Sequence, residues 1–281
     1  MLGKKFRELR KSQHKSINEV AKGITSFSSL RRWENGEGEM SVNKVMQLLD
    51  RLHIQAIELM NNSVNLDIYT DGVNEAVKDN DIDTLSKLAH KLLKLYHEAP
   101  SNEKLFFQAA IACNFYLDFT DKKLMKKEDL MRLKSYFSKI EDWTQENVLL
   151  FANTQLLLAP QDIYTVSRSL ISDLTFWNKN YNFKYLSINA LLNATVCLLK
   201  KKAFNEARFV FKQLKTFKLS DKYLDEKVRI NYFETVCDYL DTKSTYKMDI
   251  FLSGLDAIGL HYKREEFELG FSQFKKLISG K

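Results

Sequence analysis

The sequence predicts an all-α protein in two parts, a compact unit of short helices followed by a long stack of longer ones. Three observations carry this reading. Only two prolines, Pro100 and Pro160, and nine glycines interrupt 281 residues, too few breakers for a sheet-rich chain with its many tight turns. Between them, apolar residues recur at three- and four-residue spacing, and few runs alternate. The length also exceeds the usual single domain, and the pattern changes near residue 65. The expected domains are therefore 1–65 and 66–281.

Charge separates the same two parts. The net charge is +7; residues 1–65 hold 11 Lys+Arg against 7 Asp+Glu, and the remaining residues 32 against 29. The excess is concentrated at the N-terminus, which favours a polyanionic partner there. No window approaches the ~20 apolar residues of a membrane span. Met1-Leu2-Gly3-Lys4-Lys5 leads into a charged amphipathic stretch rather than an apolar run, so no signal peptide is expected. The three cysteines, Cys113, Cys197 and Cys237, are far apart and fit reduced, buried thiols in a cytoplasmic protein.

The first elements follow in order. Leu2, Phe6, Leu9 and Arg10 keep helical spacing through LGKKFRELRKS. Ser16 with Glu19 three residues on is a capping box, which starts a second helix with Ile17, Val20 and Ala21 inward. Ala21 is small enough to let the next helix cross closely. Ser26 is a natural N-cap for a third helix, FSSLRRWE, with Leu30 and Trp33 inward, and Gly36 or Gly38 can close it in a left-handed conformation. Ser41 opens a fourth helix carrying Val45, Leu48, Leu49 and Leu52, and IQAIELM supplies a short fifth. Five short helices, two joined by a tight turn, make the helix-turn-helix plan.

The stretch FRELRKSQHKSINEVA…SSLRRWENGEGEMSVNKVMQLLDRL resembles the lambda-repressor/Cro-like (XRE) DNA-binding domain. The marks are Arg10, Ala21 and the aromatic-Glu-x-Gly run Trp33-Glu34-Asn35-Gly36. The resemblance implies an interhelix pair between Arg10 and Glu34, a structural device rather than a base contact. It also implies that the third helix enters the major groove by its N-terminus. Ser26, Phe27, Ser28 and Ser29 would then lead, with Arg31 and Arg32 behind them. Adjacent arginines point ~100° apart, so one would face bases and the other a phosphate. Ser16, Ser41, Asn35 and Lys44 would add contacts to the DNA backbone. A tip so rich in serine leaves much of its sequence preference to DNA shape.

From residue 66 on, helices are expected near 66–79, 82–97, 102–119, 127–141, 145–158, 162–178, 183–201, 204–217, 222–241, 246–258 and 262–278. Tight polar joints make them antiparallel pairs, recurring every ~35–40 residues like tetratricopeptide repeats. The expected architecture is a right-handed helical-repeat solenoid with degenerate repeats, whose concave face suits an extended peptide. Asn153 in LLFANTQLLL and Asn193 in LSINALLNATVCLL sit among apolar residues, where an amide needs a partner. Either a neighbouring helix satisfies each, or each is free to clamp a peptide backbone. Arg229 can meet a peptide carboxylate or make a surface salt bridge.

The whole chain, an XRE head running into a helical-repeat body with FANT and LLN 40 residues apart, resembles the Rgg/GadR/MutR regulators of the peptide-responsive RRNPP group. That resemblance implies a cytoplasmic transcription factor, homodimeric through its repeats, that senses a short hydrophobic signalling peptide. The family's Asn pair falls on Asn153 and Asn193. Its promoter DNA would be an inverted repeat, and RNA polymerase is a further possible partner. A rival reading keeps the DNA-binding head but docks a protein on the repeats. No phosphate-binding loop or Gly-x-Gly-x-x-Gly after a strand occurs, and the five histidines are dispersed. No enzymatic activity, cofactor or metal is expected.

Overall fold

The computed structural model describes residues 2–60, 72–173 and 181–279. These residues form α-helices and two 3₁₀ turns, with no strand among them. The chain divides into two compact units, residues 1–68 and 69–281. The expected junction at 65/66 lies outside the described residues.

In the first unit, α1 (Leu2–Ser12), α2 (Ile17–Ala21), α3 (Phe27–Asn35), α4 (Val42–Arg51) and α5 (Ala56–Met60) enclose a small core. The capping box at α2 is complete. The Ser16 hydroxyl accepts from the Glu19 N–H at 3.2 Å, and the Glu19 carboxylate accepts from the Ser16 N–H at 2.7 Å. These Ser16 hydrogen bonds hold the Glu19 carboxyl below the usual carboxylate range. Ser26 caps α3 by accepting from the Ser29 N–H, and Gly36, at φ 81°, ends the helix in the left-handed region. Ser41 occupies the N-cap of α4 without a side-chain bond.

Phe6, Leu30, Trp33, Leu48, Leu49 and Leu52 fill this core, with the Phe6 and Trp33 rings 5.2 Å apart. Leu2 faces solvent instead. Gly3 takes the inward position at the start of α1, where a Cβ would lie 2.0 Å from the Trp33 carbonyl oxygen. Only glycine lets α1 and α3 approach so closely.

The second unit runs α6 (Val73–Lys78), α7 (Ile82–Glu98), α8 (Glu103–Thr120), α9 (Lys127–Ser138), α10 (Gln145–Ala152), α11 (Pro160–Ser172), α12 (Tyr181–Lys200), α13 (Phe204–Thr216), α14 (Leu224–Thr242), α15 (Tyr246–Ala257) and α16 (His261–Ser279). Successive helices pack in pairs, α7 on α8, α12 on α13 and α15 on α16. The central helix α12 buries Phe183, Ile188, Leu191, Leu192, Leu198 and Leu199, and its small Ala190 and Ala194 admit neighbours closely. Ala207 and Phe211 of α13 pack back into the same core. Parts of the expected helices 66–79 and 162–178 lie outside the described residues, at 61–71 and 174–180.

One expected helix is two elements. The pattern over 145–158 reads as continuous, yet α10 stops at Ala152 and a 3₁₀ turn spans Gln155–Leu157. Asn153 and Thr154 turn their side chains back onto the last turn of α10, donating to the Leu149 and Leu150 carbonyls at 2.8 and 2.7 Å. Such back-bonding competes with helix continuation. The freed backbone finds tertiary partners: the Leu156 N–H donates to the buried Asn114 side chain at 2.9 Å, and Lys201 donates to the Leu156 carbonyl at 3.0 Å. Gln155, 3% exposed, donates to the Ala190 carbonyl of α12 at 2.8 Å.

Cys113 and Cys197 are buried and Cys237 half-buried, all as free thiols. Burial pushes the first two up to about 12 and about 11.

Candidate functional site

In the first unit, the opening of α3 is an exposed surface on a fixed support. The support is a buried ion pair. Arg10 Nε and Nη2 donate to the two Glu34 carboxylate oxygens, each at 2.7 Å, and Nη1 donates to the Lys15 carbonyl at 2.6 Å. The two side chains are only 6% and 2% exposed. One guanidinium thereby joins the end of α1, the α1–α2 turn and the end of α3 with charge-assisted bonds. Arg51 adds a second tie that sequence reading missed, donating from α4 to the Val20 carbonyl at 3.0 Å and to that of Lys22. A basic residue in the last turn of a helix was the only signal, and it did not reveal the cross-helix target.

On that support, Phe27, Ser28, Ser29, Arg31 and Arg32 are exposed. They are not equally available. Ser26, the cap, also hydrogen-bonds the Ser28 and Ser29 hydroxyls at 3.1 and 2.8 Å. Arg32 donates to the Glu37 carbonyl at 3.3 Å, and Asn35 accepts from Arg7 at 3.1 Å. Arg31 makes no hydrogen bond or ion pair among the described residues. Lys44 and Ser41 are exposed at the start of α4, and Ser16 at the start of α2.

In the second unit, a polar cluster bridges α12 and α14. Asn189 and Asn193 lie one turn apart on α12, as Glu226 and Arg229 do on α14. Arg229 donates through Nη1 to the Asn189 side-chain Oδ1 at 2.5 Å and through Nη2 to the Asn193 Oδ1 at 2.9 Å. Asn189 in turn donates to the buried Glu226 carboxylate at 2.8 Å and to the Tyr185 carbonyl at 3.0 Å. Burial presses the Arg229 guanidinium below its ordinary value, while Asp225, Glu226 and Glu266 nearby oppose that shift. An arginine keeps its proton through such a shift. The result is a partly dry cation bonded to two neutral amides and to no carboxylate among the described residues.

This geometry brings Asn193 and Arg229 together and gives both internal partners. Asn153 shares no hydrogen bond with them; its amide caps α10. Sequence reading missed Asn189, although its spacing from Asn193 in NALLN places both on one helical face. Glu226 was hidden by its charge, which reads as solvated until the fold buries it. His90 bonds the Ser86 carbonyl, and His97 bonds Asp129 at 3.2 Å. Among the described residues no group of three His, Cys, Asp or Glu is placed to hold a metal ion, and no helix is long and apolar enough to cross a membrane.

Comparison with known proteins agrees with this division. Residues 6–59 match the helix-turn-helix family model. Residues 89–269 match the C-terminal domain of the helix-turn-helix-type transcriptional regulator Rgg, about two thirds of the chain. Solved structures with the same fold include the SHP pheromone receptor Rgg2 of Streptococcus dysgalactiae, at TM-score 0.77 and 17% identity, covering 98% of this chain and 99% of that one. PrgX in complex with cCF10 matches at TM-score 0.71 and 16% identity, covering 98% and 92%. These regulators are not enzymes. On the match across its helical body and its helix-turn-helix head, this chain belongs to the Rgg family of transcriptional regulators.

Proposed function

We propose that this regulator binds promoter DNA through α3 and that a short hydrophobic signalling peptide, held by the helical body, controls the binding. The carrying observation is the exposed opening of α3 above the buried Arg10–Glu34 pair. A reading helix must hold its side chains in fixed register against base edges, and the pair fixes α3 against α1. Arg31, without an internal partner, is the base reader. Arg32, leaning toward the Glu37 carbonyl, meets a phosphate, and Phe27 packs on a thymine methyl. Ser26 acts chiefly as the cap, while Ser28, Ser29, Ser16, Ser41, Asn35 and Lys44 face the DNA backbone. The DNA-binding part is 1–65 and the sensing part 66–281.

In the body, Asn193 and Arg229 supply amide and guanidinium groups for a peptide, with Asn153 a separate contact. Rgg2 is a pheromone receptor and PrgX was solved with cCF10, which supports a peptide as the ligand class. Because Arg229 is already bonded to Asn189 and Asn193, a peptide carboxylate would exchange bonds rather than fill empty valences. Regulation then requires that the peptide prefer one state of the protein. Tyr246, Ile250, Ile258, Tyr262 and Leu269, exposed on α15, α16 and the turn between them, offer apolar surface that a second copy would cover. A homodimer would read an inverted repeat with half-sites about one turn (~34 Å) apart, in the cytoplasm and in contact with RNA polymerase.

The test is fluorescence anisotropy of the full chain on promoter DNA flanking its own gene, with and without short hydrophobic peptides encoded nearby. Arg31→Ala should weaken specific binding by about 1–3 kcal/mol; Arg32→Ala should weaken all DNA alike and flatten the salt dependence. Arg229→Ala should abolish the peptide effect and leave DNA affinity intact. DNA binding indifferent to every peptide would favour a protein docked on the body, and no DNA binding would overturn the reading.

A further inference from the structure

A cleft lies in the body where α12 turns into α13, beside the end of α14 and the last turn of α16. Its volume is about 460 Å³, within the range of small-molecule sites. Three cations line it, Lys202, Arg208 and Lys243, together with the Asn205 amide, and no carboxylate lines it with them. Its apolar wall includes Phe204 and Leu240.

The charges are arranged in a way that favours an anion. Arg208 is paired with Asp241, so its charge is partly met. Lys202 and Lys243 form no ion pair among the described residues; Lys243 only approaches the Tyr239 ring, at 5.9 Å. Both lysines sit at helix ends with left-handed backbone, φ 59° and 60°, where glycine or asparagine is the usual choice. The same turn leads into α13 through its N-cap Ala203, which supplies no side-chain cap. The first N–H groups of that 13-residue helix are therefore left uncapped beside the cations.

We propose that this cleft binds a small organic anion, a phosphomonoester or carboxylate carrying an apolar group. The anionic end would sit between Lys202, Lys243 and the start of α13, with Asn205 donating. The apolar end would rest on Phe204 and Leu240. The site is separate from the Asn189–Asn193–Arg229–Glu226 cluster and stands whether or not that cluster binds a peptide.

Isothermal titration of the full chain tests this with four probes: phenyl phosphate, phenylacetate, phenol and inorganic phosphate. Saturable, salt-sensitive binding of phenyl phosphate or phenylacetate, exceeding phenol and inorganic phosphate, is expected, and the better of the two identifies the head group. Lys202→Gln and Lys243→Gln are exposed replacements that leave the core intact, and each should weaken that binding about tenfold. Their helical content and melting, compared with the parent chain, exclude misfolding as the cause. No saturable binding of either aryl anion, binding equal to that of phenol, or binding unchanged in both variants would overturn the proposal.

Discussion

The two units use polar side chains in opposite ways. In the first, a buried charge pair and small caps hold the scaffold, and the side chains at the opening of α3 face outward, with Arg31 unpartnered. In the second, the polar residues of the α12–α14 cluster are bonded to one another. A ligand could meet the first arrangement as it stands, whereas any ligand of the second would have to trade internal bonds for external ones. An exposed, preorganised surface suits the rigid, always-charged phosphate backbone of DNA. A self-satisfied cluster suits a ligand whose arrival changes the protein, because the bonds it replaces tie two helices together.

The largest test of this contrast is the ion pair itself. Arg10→Ala or Glu34→Ala strands a buried charge and should cost the first unit about 3–5 kcal/mol. Hydrogen exchange on α1–α4 within the full chain would show the loss, with the amides of α7–α14 unchanged. Loss below about 1 kcal/mol would mean the scaffold does not depend on the pair.

Next is the break after α10. Gln155→Ala removes a buried bond to the Ala190 carbonyl and should cost about 1–3 kcal/mol of body stability. Asn153→Ala, at a half-buried position, should cost less than about 1 kcal/mol. Equal costs in thermal melts of the two variants would make Asn153 a structural amide like Gln155 and remove it from the proposed peptide contacts.

Smaller still, Ser26→Ala should cost about 1 kcal/mol through the lost α3 cap. DNA affinity measured under fully folded conditions should change little, since the Ser26 hydroxyl is already engaged by the Ser29 N–H and the Ser28 and Ser29 hydroxyls. A large affinity loss would make it a contact in its own right.

The buried thiols give the least effect near neutrality. Their folded values, about 12 for Cys113 and about 11 for Cys197, lie above the ordinary 9.0. Protonated thiols are favoured in the fold, so their contribution is fully present below pH 9.0 and is lost as pH rises through about 11 and then about 12. Denaturation midpoints should be insensitive to these groups at neutral pH and fall in alkali. Cys113→Ala and Cys197→Ala should blunt that fall.

What the sequence determined alone is local. Ser16 with Glu19, Ser26, Gly36 and the spacing of Phe6, Leu30 and Leu48 state helix starts, ends and inner faces, because caps and periodicity act within a few residues of themselves. The Arg10–Glu34 pairing and the two-part plan were legible through a motif whose spacing is itself a structural constraint. The tertiary structure alone decided the rest. Gly3 matters only because the Trp33 carbonyl arrives against it, and the break in 145–158 is held because Asn114 and Lys201 come from elsewhere to satisfy its freed backbone while the Ala190 carbonyl anchors the Gln155 side chain. Glu226 and Asn189 join Arg229 only when α12 and α14 meet. Burial and long-range hydrogen bonding are properties of pairs far apart in the chain, and a charged or amide residue looks the same in sequence whichever partner the fold brings to it.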